Sequence, residues 1–412
     1  MLGERIKHYR KERKLTLEQL AGTQMTKGML SLIENNKARP SLENLEYIAA
    51  QLNISISDLL TDQHSNELRN FLTYLEKELN FEIYEDKEKL LRLINEIKPY
   101  LTKLEKSYES ARILELYAIS LFYNSDINYN DYFKKAANLY NELNITTKEL
   151  EIRIGMVSAL FIHKKYEESY IEVKKLAANL DNLYSHVEPL SKLEIAFHHA
   201  AFSIALGKLD EGLEVIDQAL KLSTQKQVYY YIGELYRLAA SIDIIIKGKT
   251  HSNYLEKLKL YGQFSDDFKS IMATELFHNG RLFNEKKYTD SYIHAVQMIA
   301  KLEASMQFHT SYEETVSHDI YLQYFKSAKG RALYKLKKIE EAIEILESVT
   351  IPKSTNYPLD ISSIYLSKYY LTLCYMKLNE IEKAKHTLEE SLTVLNEFPF
   401  SPTRDLFLQL KI

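Results

Sequence analysis

The chain has 412 residues, enough for two or three domains with real cores. It holds only 11 Gly and 7 Pro, about 4% together against roughly 12% in an average protein. That leaves little room for hairpins, Gly-rich phosphate loops or low-complexity stretches and points to an all-helical class. A single cysteine, Cys374, excludes an internal disulfide and a Cys-based zinc site, and a reducing compartment, the cytoplasm, is the simple reading. The N-terminus goes straight into charged, helix-like sequence, and no later apolar run approaches the ~18–20 residues of a membrane span. The expected location is therefore cytoplasmic, with no membrane. Against 57 Asp plus Glu stand 53 Lys plus Arg, a net charge of −4. Residues 1–40 carry nine basic and four acidic residues, +5, which leaves −9 for the rest. A basic head precedes an acidic body.

The head, residues 1–61, reads as five short helices. Thr16-Leu17-Glu18-Gln19 has capping-box spacing. Thr26 suits the cap of a helix from Lys27 to about Asn35, Pro40-Ser41 marks the next start, and Ser55 with Asp58 opens a last short turn. Ile6, Leu20, Ala21, Leu30, Ile33, Leu42, Leu45, Ile48, Ala49, Leu52, Ile56 and Leu59 recur at helical spacing and predict one small core. Two helices around a turn containing Gly22 fit a helix-turn-helix.

The run Leu15-Thr16-Leu17-Glu18-Gln19-Leu20-Ala21, then Leu30-Ser31-Leu32-Ile33-Glu34, Lys37-Ala38-Arg39-Pro40-Ser41-Leu42, Ile48-Ala49 and Leu52-Asn53-Ile54-Ser55 resembles the phage-repressor (Cro/cI, XRE) DNA-binding domain. In that family the second helix of the motif enters the major groove. The resemblance therefore implies Thr26, Lys27, Gly28 and Met29 at base edges, with Ser31 and Leu32 one turn on. Lys27 reads guanine or holds a phosphate, Met29 and Leu32 offer apolar contact to thymine methyls, and Lys37 and Arg39 position phosphates. It also implies a structural pair between Glu34 and Arg10. The family usually has Gln where Leu17 stands, so one phosphate contact lacks its usual donor.

The body, residues 62–412, carries a recurrent turn: Lys165-Tyr166-Glu167-Glu168-Ser169, Lys208-Leu209-Asp210-Glu211-Gly212, Lys287-Tyr288-Thr289-Asp290-Ser291, Lys338-Ile339-Glu340-Glu341-Ala342 and Glu380-Ile381-Glu382-Lys383-Ala384. Each has an apolar landmark, two mostly acidic residues and a small residue opening a second helix. The longest gap between landmarks divides in two if a degenerate unit turns near Gly248-Lys249-Thr250. Two weaker pairs precede, at 66–105 and 111–143. The pattern resembles tetratricopeptide repeats with lengthened helices and predicts a right-handed superhelix with a concave groove. Ala200, Gly212, Ala219, Gly330 and Ala342 are assigned to helix packing. In such repeats the first helix of each pair lines the groove, which puts His198, Phe277, Asn284, Tyr324, Arg331, Tyr334, Lys335, Tyr369 and Tyr370 on or near it, with Asn279 one position off. These residue types bind peptide backbone, carboxylates and apolar side chains.

A phage-repressor head on such repeats is similar to the peptide-sensing regulators of Gram-positive bacteria, the Rap–Rgg–NprR–PlcR–PrgX group, with NprR-like and PlcR-like members nearest in spacing and length. This resemblance implies a transcription factor that binds a double-stranded DNA operator and is gated, as a homodimer or higher homo-oligomer, by a short quorum-sensing peptide in the groove. The alternatives are an inhibitor that binds a response regulator of the sporulation phosphorelay, or a repeat scaffold for another protein. Phosphatase action of the Rap type lacks its glutamine, since no Gln occurs between Gln63 and Gln218. No catalytic, metal or cofactor site is expected. Gly-rich phosphate loops, His-Glu-x-x-His and Gly-x-Ser-x-Gly are absent, and Cys374 sits in an apolar helix.

Overall fold

One backbone device makes each of the five turns read from the sequence. Lys164, Gly207, Lys286, Lys337 and Asn379 adopt φ of 62°, 77°, 62°, 64° and 61°. The residue after each one donates its N–H five residues back: Lys165 to Leu160, Lys208 to Ser203, Lys287 to Leu282, Lys338 to Leu333 and Glu380 to Tyr375. This left-handed closure satisfies carbonyls that the ending helix leaves free. Only one of the five is glycine, and at the others the left-handed conformation costs about 1 kcal/mol. Two residues beyond each, the apolar landmark opens the next helix: Tyr166, Leu209, Tyr288, Ile339 and Ile381.

The computed structural model describes residues 2–56, 59, 63–79, 83, 86–183, 187–249, 251–305, 312–353 and 355–412. The expected turn at Ser55–Asp58 and the boundary between residues 61 and 62 fall on or against residues outside this set. Among the described residues every regular element is helical, and no helix is long and apolar enough to cross a membrane. The chain divides into two compact units, residues 1–143 and 144–412.

The first unit begins with α1 (Leu2–Glu12), α2 (Leu17–Ala21), α3 (Lys27–Glu34) and α4 (Leu42–Gln51), followed by α5 (Gln63–Glu78), α6 (Lys87–Ile97), α7 (Tyr108–Tyr123) and α8 (Tyr129–Glu142). Thr16 caps α2 through a complete capping box with Gln19, Thr26 caps α3, and Ser41 caps α4. Ile6, Leu20, Leu30, Ile33, Ile48 and Leu52 are buried together beneath these helices, each worth about 2 kcal/mol in removed apolar surface, whereas Leu42, expected among them, opens α4 on its solvent side at 65% exposure. Gly22 turns the chain between α2 and α3 at φ +55°, where a Cβ would lie 1.9 Å from the Tyr47 hydroxyl. No side chain fits there.

The second unit alternates first and second helices of successive pairs: α9 (Thr146–Ile162) with α10 (Tyr166–Leu183), α11 (Pro189–Ala205) with α12 (Leu209–Lys226), α13 (Ile232–Ser241) with α14 (Asn253–Ser265), α15 (Phe268–Asn284) with α16 (Tyr288–Ser305), α17 (Tyr312–Lys335) with α18 (Ile339–Glu347), and α19 (Pro358–Lys377) with α20 (Ile381–Leu395), closed by α21 (Pro402–Phe407). The degenerate pair is real: α13 runs into a π turn over Ile242–Ile246, and the chain reverses past Gly248 at φ +65°. Buried Asp243 holds this corner, accepting hydrogen bonds from Lys249 Nζ at 2.6 Å and Ser252 Oγ at 2.9 Å. Where paired helices touch, Gly330 leaves room for Leu346, whose Cδ2 would be 2.4 Å from an added Cβ. Buried Cys374 packs with Leu371 and Ala384.

Candidate functional site

The outward surface of α3 follows from its pinned underside. Leu30 and Ile33 point into the head's core, so Met29 (38% exposed) and Leu32 (48%) must face solvent. Lys27, Gly28, Lys37 and Arg39 are exposed beside them, and Ser31 is half-buried. Thr26 accepts the Met29 N–H at 3.1 Å, so its hydroxyl both caps the helix and keeps a proton to donate. Lys27 Nζ lies 2.8 Å from Glu18 Oε1, an exposed pair joining α2 to α3. Lys37 and Ala38 donate their N–H groups to Leu32 O, which folds the basic loop back onto the end of α3. The sequence-predicted residues therefore form one contiguous patch that is apolar at its centre and basic at its edges.

Less visible in the sequence is how α1 holds α3. A Cβ on Gly3 would lie 2.0 Å from Ile33 O, and Asn36 Oδ1 accepts the Gly3 N–H at 3.0 Å. Arg10 completes the clamp by binding Glu34 with two nitrogens.

In the second unit Arg237 of α13 is bonded to Glu234 at 2.7 Å and lies 4.0 Å from Asp360 of α19. The Tyr324 hydroxyl of α17 bonds Asp360 as well. Against the effect of burial, Arg237 holds Glu234 below the ordinary carboxylate range, whereas burial lifts Asp360 above it despite Arg237. Beside this network an apolar recess of about 220 Å³ is lined by Phe161, Ile162, Phe197, His198 and Phe202. Burial pushes the His198 imidazole down to about 4, so it enters the recess neutral. Tyr357 fixes the wall by donating to Ala201 O at 2.9 Å. A smaller recess on the other side of Arg237 is lined by Ile245, Ile246, Leu366 and Ser363.

Several predicted groove residues gather at the C-terminal ends of α15 and α17. Arg331 lies 5.2 Å over the Phe283 ring, and Lys335 Nζ is 5.8 and 5.9 Å from the Tyr334 and Tyr370 rings. Tyr369 stacks edge-on against Tyr370, and Asn284 is exposed at the end of α15. Two expectations are corrected. Phe277 is 4% exposed and packs in the core with Met272 and Phe325. Asn279 is fully buried and ties α15 to α16: its Nδ2 donates to Ser291 O at 2.8 Å and its Oδ1 accepts from Ser291 Oγ at 3.0 Å. Asn279 thus faces the paired helix α16, and Phe277, two residues earlier, packs on another side of α15. Among the described residues no cluster of His, Cys, Asp or Glu is arranged to hold a metal ion. The adjacent His198 and His199 diverge, the latter bonding Glu211 at 3.2 Å.

Residues 3–63 match the helix-turn-helix domain family, and the head has that fold. Over 69 residues, 16% of this chain, it is 42% identical to the HTH-type transcriptional regulator SinR of Bacillus subtilis (strain 168), a match that spans 62% of SinR. Over 63 residues it is 41% identical to the immunity repressor protein of Bacillus phage phi105, spanning 44% of that protein. Both relatives are repressors or regulators by name, not enzymes. Among solved structures, NprR in complex with its cognate peptide NprX is similar at a TM-score of 0.48, with 15% identity over 67% of this chain and 78% of that one. Bacillus thuringiensis PlcR, in complex with the peptide PapR7 and DNA, gives 0.38, with 18% identity over 67% and 98%.

Proposed function

We propose that this chain is a cytoplasmic, sequence-specific DNA-binding transcriptional regulator whose repeats bind a short signalling peptide that sets operator binding. The observation that carries the DNA half is the α3 surface, where Lys27, Met29 and Leu32 stand exposed on a helix held from beneath by Leu30, Ile33 and Glu34. An apolar centre with basic edges matches a major groove bounded by phosphates. The peptide half is supported by the surroundings of Arg237, which combine apolar recesses with charged groups, the mixture that fixes an extended ligand's side chains and backbone. In this reading residues 1–61 read DNA and residues 62–412 bind peptide and self-associate. A homodimer or higher oligomer presents two heads to half-sites roughly 34 Å apart, and the peptide shifts the population of the geometry that spans them.

The test is operator selection from random duplex DNA with the full chain, followed by binding of the selected duplex to Lys37→Ala and Leu32→Ala proteins. Enrichment of a defined palindromic or direct-repeat site, weakened about tenfold by Leu32→Ala, is expected. Selection that enriches no sequence would reject the reading.

A further inference from the structure

One face of α17 joins two places of opposite chemistry. Ser317, Tyr321, Tyr324, Ala328, Arg331 and Lys335 follow at alternating spacings of four and three and so lie along one side of that helix. At its C-terminal end, Arg331 and Lys335 stand among the rings of Phe283, Tyr334 and Tyr370. Arg331 Nε is buried without a hydrogen-bond partner, and among the described residues no carboxylate is paired with Arg331 or Lys335. A buried N–H donor with no acceptor is costly unless a ligand supplies one. In keeping with that, burial lowers the Arg331 pKa from its ordinary value.

At the N-terminal end, Ser317 borders a recess of about 620 Å³. Asp266 and Asp267 line it with Lys269, Tyr230 and Tyr261, beside Glu234, whose charge Arg237 already pairs. Carboxylates and phenol rings together suit a cation. Ser317 and Arg331 are fourteen residues apart, about 21 Å at ~1.5 Å per residue of helix, which is the reach of about six or seven extended residues at ~3.3 Å each.

We infer that the groove accepts its peptide in one direction only, a carboxylate of the ligand on Arg331 and Lys335 and a cationic group in the Asp266–Asp267 recess. The inference rests on the peptide-binding reading and adds to it the ligand's polarity. The carboxylate is either the peptide's C-terminus or an acidic side chain, and the cation either its N-terminal ammonium or a basic side chain.

The experiment uses the full chain and synthetic pools of random heptapeptides lacking Asp, Glu, Lys and Arg, made with both ends free, N-acetylated, C-amidated or doubly blocked. A parallel set readmits the four charged residues. Retention is measured by equilibrium dialysis and mass spectrometry. The free pool is expected to be retained at least tenfold over the doubly blocked pool. Recovery of the C-amidated pool when Asp and Glu are readmitted would assign the anion to a side chain, and no recovery would assign it to the terminus; both support the inference. Arg331→Gln should erase the discrimination at the C-terminal end and Asp266→Asn that at the N-terminal end. Asn tolerates the left-handed conformation that Asp266 adopts at φ 55°. Should either variant fail to fold, the four pools on the unaltered chain still decide. Equal retention of free and blocked pools would overturn the polarity while leaving peptide binding standing. Retention of no pool would overturn both.

Discussion

Arg10 grips Glu34 with two nitrogens, Nε to Oε1 at 2.6 Å and Nη2 to Oε2 at 2.9 Å, and donates its third, Nη1, to Leu15 O at 2.8 Å. One guanidinium thus fastens α1, the loop before α2, and the end of α3. Both side chains are nearly buried, at 12% and 3% exposure, so removing one partner strands the other. Arg10→Ala is expected to cost the head about 3 kcal/mol, read as a lower urea midpoint. A loss under 1 kcal/mol would mean the pair does not set the pose of α3.

Lys27 answers to Glu18 in the free protein, but both side chains are exposed and solvent screens the pair, so DNA can break it. Lys27→Ala should weaken binding to the selected operator about tenfold and reduce the slope of log affinity against log salt by about one. It should leave head stability and retention of peptide unchanged. Equal loss of DNA and peptide binding would contradict the division of labour between head and repeats.

Asn279 and Arg331 separate a packing residue from a ligand residue. Asn279→Ala leaves the buried Ser291 hydroxyl without its acceptor and its carbonyl with the helix bond alone, and about 2 kcal/mol of body stability should go with it. The folded fraction should retain the free heptapeptide pool as the unaltered chain does. A selective loss of retention at unchanged stability would return Asn279 to the groove.

Glu211 gives the body a pH signature. Although its partial burial works the other way, hydrogen bonds from Lys174, Tyr170 and His199 bring it down to about 2 from an ordinary 4.5. A depressed carboxylate stabilises the fold above its unfolded pKa, and that contribution is lost as pH falls through the folded value. The gap in urea midpoint between the unaltered chain and Glu211→Gln should thus be complete above about pH 5 and close progressively toward pH 2. A gap independent of pH would place the residue's effect in packing instead.

The sequence made the turns legible and the faces less so. Thr16, Thr26 and Ser41 announced their caps because capping is local chemistry at fixed offsets, and the five apolar landmarks opened helices because a left-handed turn always stands two residues before them. Groove residues proved harder. The first helices of the pairs are apolar on several sides, so periodicity tells that Phe277 and Asn279 face something but not which neighbour. The Arg237–Asp360 pair escaped for another reason: its members are far apart in the chain, and neither belongs to a motif. Arg331, Tyr334, Lys335 and Tyr369 were chosen by counting back from a turn, a register that drifts by a full face with distance from the turn.

The central claim is that a peptide in the repeats changes what the head does on DNA. Its most direct measurement is the affinity of the full chain for its selected operator, with mass by light scattering in the same samples, before and after addition of the retained heptapeptides. Operator affinity is expected to shift at least tenfold, together with the mass or with the spacing of half-sites preferred. Identical affinity and identical mass with and without bound peptide would contradict it.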